Sequence, residues 1–284
     1  MSTLRLVVPK GRIYTRVVQL LQEAGIRLQG DERAYRPLTN DPEIEIKIMK
    51  PQNIPQLLEL GSHDAGFTGH DWVAETGAAV TELLDLQFDP VQIVAAVPQA
   101  AGAESLRGKK ITVATEYEAL ASAYLREAGY DFRILRTFGA TEVFPPDDAD
   151  MIIDNTSTGR TLAEHDLQVI ATLLRSSTRF VANQASLENP WKREKIDRLT
   201  MLFRSILDAR ERVMLEMNVA AENLEAVIRI LPCMRAPTVS SLYHEKGYAV
   251  KTAVKKDEAV QLIPRLKALG ATDILEYDFR KVVI

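Results

Sequence analysis

The stretch Met151-Ile152-Ile153-Asp154-Asn155-Thr156-Ser157-Thr158-Gly159-Arg160-Thr161-Leu162 decides how the chain is read. An apolar run ends in a carboxylate, a loop of small hydroxyl residues with one glycine follows, and then a helix opens. It is also an anion cradle. Free backbone N–H groups and partial positive charge gather at a helix start. Thr156, Ser157, Thr158 and Thr161 add hydroxyl donors, and Gly159 lets the backbone approach a phosphate closely. Asp154, at the strand end, is suited to accept hydrogen bonds from sugar hydroxyls. The plainer reading is a Ser/Thr-rich turn with an N-cap.

Outward from this loop, short apolar strands alternate with amphipathic helices. Leu4 to Val8 reads as a strand, and Ile13, Val17, Leu20, Leu21 and Ala24 recur at helical spacing up to Gly25. Ile44, Ile46 and Ile48 alternate with charge as in a half-buried strand, and Asn53 caps a short helix. Ala65 to Thr68, Ile93 to Val97, Ile111 to Ala114 and Phe132 to Leu135 are further strands, with Arg179 to Ala182 as a return strand. Thr115 and Glu118 have capping-box spacing, and Trp191 to Leu207 is a long helix. Such alternation predicts mostly parallel sheets covered by helices. After residue 209 the rhythm becomes βα-ββαβ, as in a small ferredoxin-like sandwich. There Pro264 predicts either a kink in the helix Asp257 to Leu269 or a later start.

Composition narrows the function classes. The 284 residues are 46% hydrophobic and 26% charged, an ordinary globular balance. Lys+Arg 35 against Asp+Glu 39 gives net charge −4, with pI about 5.7, so no basic field exists for a nucleic acid. No apolar run approaches the roughly 18 residues of a membrane span, and the N-terminus lacks a signal-peptide core. The one cysteine, Cys233, forms no internal disulfide and fits a cytoplasmic location. His63, His70, His165 and His244 show no paired metal-ligand spacing. Gly-x-Ser-x-Gly, Walker and Gly-x-Gly-x-x-Gly motifs are absent.

Two further turns carry polar groups where open α/β sheets bind ligands, beyond the carboxyl ends of strands. Pro9-Lys10-Gly11-Arg12 places two cations at one. Asp64 to Asp71, ending Thr68-Gly69-His70-Asp71, forms the other, and there Asp71 is either functional or a helix cap.

Taken in order and spacing, Val8 to Arg12, Asp64 to Asp71 and Asp154 to Leu162 resemble ATP phosphoribosyltransferases, which catalyse the first step of histidine biosynthesis. Gly139-Ala140-Thr141-Glu142-Val143 matches the family pattern too. Leu231-Pro232, Pro237 to Val239 and Ala249 to Val254 resemble the C-terminal domain of the long form, so the likeness covers essentially the whole chain.

The resemblance implies a catalytic part shaped like periplasmic binding proteins, domain I being residues 1–95 with 175–208 and domain II 96–174. A C-terminal ferredoxin-like (ACT-like) regulatory domain, 209–284, would bind histidine. It implies a homo-oligomer, dimer to hexamer, without a separate regulatory subunit. The implied substrates are ATP and 5-phosphoribosyl 1-pyrophosphate, with Mg²⁺ held mainly through their phosphates. On this basis Thr156, Ser157, Thr158, Gly159, Arg160 and Thr161 take the 5-phosphate, and Asp154 takes the ribose hydroxyls. Lys10 and Arg12 hold pyrophosphate or ATP phosphates. Gly11, Gly69, Asp71 and Glu142 join the nucleotide site, while Asn218 and Thr238 contact histidine. Asn218 stands where some long-form members carry an acid suited to the ammonium group of histidine. The alternatives are a solute-binding or sensor module of the same shape and a phosphoribosyltransferase for another base.

Overall fold

The computed structural model describes residues 2–30, 34–102, 104–232, 234, 236–244 and 246–284; Cys233 lies outside these. The chain divides into two compact units, residues 1–200 and 201–284.

In the first unit the elements run β1 (Leu4–Pro9), α1 (Tyr14–Glu23), a short ribbon β2 (Leu28–Gln29) and β3 (Leu38–Thr39), then β4 (Ile44–Met49) and α2 (Ile54–Glu59). Next come β5 (Ala65–Gly69), α3 (His70–Thr76), β6 (Val80–Asp85), β7 (Val91–Pro98), β8 (Lys110–Thr115), α4 (Glu118–Glu127) and β9 (Asp131–Arg136). Then follow β10 (Met151–Thr156), α5 (Arg160–Glu164), β11 (Leu167–Ser176), β12 (Thr178–Asn183), α6 (Gln184–Glu188) and α7 (Pro190–Arg210), the last running past residue 200.

These strands make two sheets, ordered β4-β1-β5-β12-β6 and β11-β7-β10-β8-β9. In each, three strands are parallel and one strand arriving from the other sheet pairs antiparallel: β12 in the first, β7 in the second. Exchange of one strand each way is the architecture of two-lobed periplasmic binding proteins. The chain crosses between Asp85 and Val91 and returns between Ser176 and Thr178. The first crossing lies ahead of residue 95, because β7 pairs within the second sheet from Val91 onward.

Position in the sheet explains the sequence patterns. Strand β1 is interior, so Leu4, Leu6, Val7 and Val8 are all buried; edge strand β4 buries only its isoleucines on alternate positions. Met151, Ile152 and Ile153 of interior strand β10 are likewise buried, which fixes Asp154 at the point where the strand emerges from the core.

Three expected caps differ. Asn53 sits in a 3-10 turn (Pro51–Asn53) and makes no cap hydrogen bond. Thr115 and Glu118 form no capping box: the Thr115 hydroxyl donates to Ile153 O (2.6 Å), and Glu118 pairs with Arg136 (3.0 Å). Instead, Glu75 of α3 accepts from the Ala119 and Leu120 N–H groups at 2.9 and 3.0 Å, so a carboxylate from the first lobe caps α4 of the second. Asp71 lies in the first turn of α3 without capping it.

In the second unit, β13 (Arg212–Ala220), α8 (Leu224–Ile230), β14 (Thr238–Ser241), β15 (Gly247–Lys255), α9 (Lys256–Ala268) and β16 (Thr272–Asp278) form a sheet ordered β14-β15-β13-β16. All its neighbours are antiparallel, which is the ferredoxin-like order. Its core joins Val213, Leu215, Met217 and Val219 to Leu262 and Leu266. Helix α9 starts at Lys256 and continues through Pro264, so the later start does not occur. Among the described residues, no helix is long and apolar enough to cross a membrane.

Candidate functional site

The two lobes of the first unit face each other across a cleft at the crossing strands. Lys10, Arg12, Gly69 and Asp71 line it from one side and Glu116, Tyr117 and Asn155 from the other, with Ser176 and Ser177 at the return crossing. The sequence-nominated Lys10, Arg12, Gly69 and Asp71 therefore do meet. Gly11 has φ +84° in the turn between the two cations. The Lys10 ammonium lies over the Tyr35 ring, 5.1 Å from its centroid, and Arg12 is exposed.

Asp71 is buried and fully engaged. One carboxylate oxygen accepts from the Ser176 hydroxyl (2.6 Å) and the other from the Tyr117 hydroxyl (2.8 Å). The Asp71 N–H in turn donates to Ser176 Oγ (3.0 Å). This carboxylate thus ties α3 of the first lobe to the return crossing and to the second lobe. Its position requires Gly69: a Cβ there would collide with Asp71 Oδ1.

Tyr117 extends the link. Its ring stacks on Trp72 (centroids 4.6 Å apart, 21° between planes), and its oxygen accepts from Asn155 Nδ2 at 3.3 Å. Burial, and then the Asp71 charge, push its ionisation far above the usual tyrosine range, so the hydroxyl remains a donor. Asn155 donates to Asp154 through its backbone N–H (2.6 Å) and its side chain (3.1 Å). One hydrogen-bonded chain thus runs from the hinge to Asp154.

Asp154 is half-buried inside β10, where the strand leaves the core, and Asn155 and Thr156 continue the strand. Burial pushes its carboxyl up to about 6; the Glu116 and Glu142 charges add to the rise, against hydrogen bonds from Asn155 and Thr141. Thr141 is buried and shares a hydrogen bond with Thr137 (3.0 Å), which anchors the segment carrying Glu142.

The loop after Asp154 shapes itself with its own side chains. Gly159 N–H donates to Thr156 Oγ1 at 3.0 Å, and Gly159 takes φ +76°, a conformation that disfavours any side chain. Ser157, Thr158 and Thr161 are exposed, and the Arg160 guanidinium is held by Glu164 (2.7 Å) rather than free. Helix α5 that follows has only five residues, Arg160–Glu164.

In the second unit Asn218 and Thr238 stand apart. Asn218 pairs with Ala249 in the sheet, whereas Thr238 pairs with Lys251, one strand further out. Asn218 Nδ2 donates to Asp273 (2.9 Å), which also accepts from Thr272 (3.1 Å).

Sequence reading missed Tyr117, Trp72, Ser176 and Gln52. The carboxyl-end rule was the available signal for two of them, because Tyr117 follows β8 and Gln52 follows β4 by a few residues. We expect Tyr117→Phe, which keeps the stack on Trp72, to cost about 1–3 kcal/mol by thermal melting, because buried Asp71 loses a donor.

A family model described as ATP phosphoribosyltransferase matches residues 50–205, and one described as HisG, C-terminal domain, matches 209–281. An ATP phosphoribosyltransferase of Pelotomaculum thermopropionicum is 41% identical, covering 99% of both chains. One from Desulforudis audaxviator is 40% identical with the same coverage. The solved structure described as an ATP phosphoribosyl transferase (HisG:HisZ) complex from Thermotoga maritima aligns with TM-score 0.64 at 26% identity, covering 71% of this chain and 99% of that one. Relatives that align end to end, and family models that take in most of the cleft and the added sandwich, agree on one assignment: the chain belongs to the ATP phosphoribosyltransferase family, pentosyl-transferring enzymes of histidine biosynthesis.

Proposed function

We propose that the cleft joins N1 of the adenine ring of ATP to C1 of 5-phosphoribosyl 1-pyrophosphate, releasing pyrophosphate. The observation that carries this is the meeting of Lys10 and Arg12 with Asn155 in one cleft, beside half-buried Asp154 and the hydroxyl loop. The N1 lone pair forms the new bond, and the C1–O electron pair leaves with pyrophosphate. N1 is unprotonated at neutral pH, so no strong general base is needed, and rate comes from positioning and charge.

In this reading Asp154 accepts from the ribose hydroxyls, while the hydroxyls of Thr156, Ser157, Thr158 and Thr161 hold the 5-phosphate, and the Gly159 and Arg160 N–H groups orient two of those hydroxyls. Lys10 and Arg12 stabilise charge building on the leaving group. Asp71 acts as a positioning residue, since both its oxygens are already occupied by protein donors.

Among the described residues, no group of three or more His, Cys, Asp or Glu side chains could hold a metal. The half-buried Asp154 carboxylate, with the Glu116 and Glu142 charges near it, suits Mg²⁺ carried in on substrate oxygens. Bound there, the ion would neutralise pyrophosphate charge.

Residues 1–90 with 177–208, and 91–176, form the catalytic domains, because β7 and β11 lie wholly in the second sheet, and 209–284 form the histidine-responsive one. Because the chain carries its own C-terminal domain, this reading needs no separate regulatory subunit and takes the active form as a homo-oligomer. For histidine, Asp273 supplies beside Asn218 the carboxylate that Asn218 lacks.

The test mixes the protein with both substrates, Mg²⁺ and pyrophosphatase and follows ultraviolet absorbance of N1-substituted adenine. Product that needs both substrates is the expected result; product from neither ATP nor any mixture containing it would overturn the reading. Histidine should suppress the rate, and Asp273→Ala should raise the half-inhibiting concentration about tenfold or more at unchanged kcat. An unchanged inhibition curve would remove Asp273 from the histidine site.

A further inference from the structure

Two acceptors in the cleft have no hydrogen-bond donor among the described residues: Gln52 Oε1 and Asp89 Oδ2, both buried. Both residues line the same cleft as Lys10 and Arg12. Gln52 sits in the 3-10 turn after β4. Asp89 lies in the crossing segment between β6 and β7 with φ +47°, and its side chain is 12% exposed. Its other oxygen is 4.0 Å from Arg16 Nε. Buried acceptors without donors are costly and uncommon, and at a ligand cleft they point to a donor on the ligand.

We infer that Gln52 and Asp89 recognise the exocyclic amino group of the adenine ring; this rests on the reaction proposed above. The nucleophile must stay free, so recognition cannot occupy N1 and falls to the amino group beside it. That group offers two N–H donors and no competing acceptor role, which matches two acceptors. Phosphates offer only acceptors, and the ribose hydroxyls of the other substrate already have Asp154.

Charge gives Asp89 a second role. As N1 bonds to C1 and pyrophosphate departs with the electron pair, the base acquires a positive charge shared by N1, C6 and the amino nitrogen. The proton stays on the amino group. A carboxylate accepting from that N–H stabilises the charge as it develops, so Asp89 favours the transition state over bound ATP. Gln52, neutral, contributes to binding and to choice of base.

The experiment uses the full chain and measures dissociation constants by calorimetry for ATP and for purine ribonucleoside 5′-triphosphate, which has hydrogen in place of the amino group. The wild-type protein should bind the desamino nucleotide about 10–100-fold more weakly. Gln52→Leu should weaken ATP by a similar factor yet leave the desamino nucleotide within about threefold. Asp89→Asn suits the positive φ and keeps an acceptor, so ATP affinity should hold within about threefold while kcat falls about tenfold. Equal binding of both nucleotides by the wild type, equal losses in Gln52→Leu, or full kcat in Asp89→Asn would each overturn the assignment. A larger penalty for 2′-deoxy-ATP than for the desamino nucleotide would move the acceptors to the nucleotide ribose and overturn it too. If Gln52→Leu does not fold, wild-type discrimination and Asp89→Asn still decide. Product formation from ATP is measured first: its absence defeats the underlying reaction, whereas product without discrimination defeats this inference alone.

Discussion

Asp154→Ala should lower kcat/KM for 5-phosphoribosyl 1-pyrophosphate by about 10²–10³-fold with little change in melting temperature. The carboxylate stands where β10 leaves the core, two strand residues ahead of the loop that would take the 5-phosphate. Losing it removes the acceptor that holds the sugar, while the three apolar residues before it keep the strand in the core. The pH profile makes the prediction sharper. Burial holds the Asp154 carboxyl at about 6, so the free protein protonates it as pH falls through that value. A protonated carboxyl is a poorer acceptor for a ribose hydroxyl, so kcat/KM should fall on the acid side of about pH 6. Asp154→Asn should lack that limb. A raised acid pKa also means that this group favours the fold at low pH and that its contribution is lost as pH rises through about 6. At neutral pH, therefore, its removal should not destabilise the protein. Near-normal turnover in Asp154→Ala would show that the loop is not the sugar-phosphate site.

The largest stability effect is expected at Asp64. Its side chain is 1% exposed and accepts from Arg5 N–H (2.8 Å), Ser186 Oγ (2.9 Å) and Lys192 Nζ (2.7 Å). It joins β1, the start of β5, α6 and α7, which puts four elements on one carboxylate. Asp64→Ala leaves Lys192 and the other donors without a partner and should cost about 3–5 kcal/mol. For a unit of this size that is a fall of roughly 6–20 °C in the melting transition. Burial alone would raise the Asp64 carboxyl, but the Lys192, Arg5 and Ser186 hydrogen bonds outweigh it and hold it below the ordinary aspartate range. Its contribution is therefore present above about pH 4 and lost as pH falls below that. The gap between wild type and Asp64→Ala should narrow in acid, measured by melting at pH 7 and at pH 3–4. A shift under about 2 °C at pH 7 would refute the assignment.

The strands that the sequence hid were those whose burial breaks its own period. Strand β11 carries register shifts between Val169 and Ala171 and between Thr172 and Leu174, so alternation fails along it. Strand β6 lies at an edge, with no residue buried, and reads as surface. The capping box at Thr115 and Glu118 misled for a related reason: its spacing is local, whereas the actual cap, Glu75, arrives from another helix.

By itself the sequence determined what depends on neighbours within a few turns of chain: the alternation of strands and helices, the turn after Asp154, the cations at Lys10 and Arg12, and the βα-ββαβ order of the last segment. Periodicity and turn chemistry act over such short spans, so they are written into consecutive residues. Only the tertiary structure decided what Asp71 does, because its partners Tyr117 and Ser176 lie 46 and 105 residues away. The same holds for the pairing of Asn218 with Asp273, and for the burial that lifts the Asp154 carboxyl. Burial and long-range hydrogen bonding are properties of the folded lobes; they arise only when the exchanged strands bring those segments to one place.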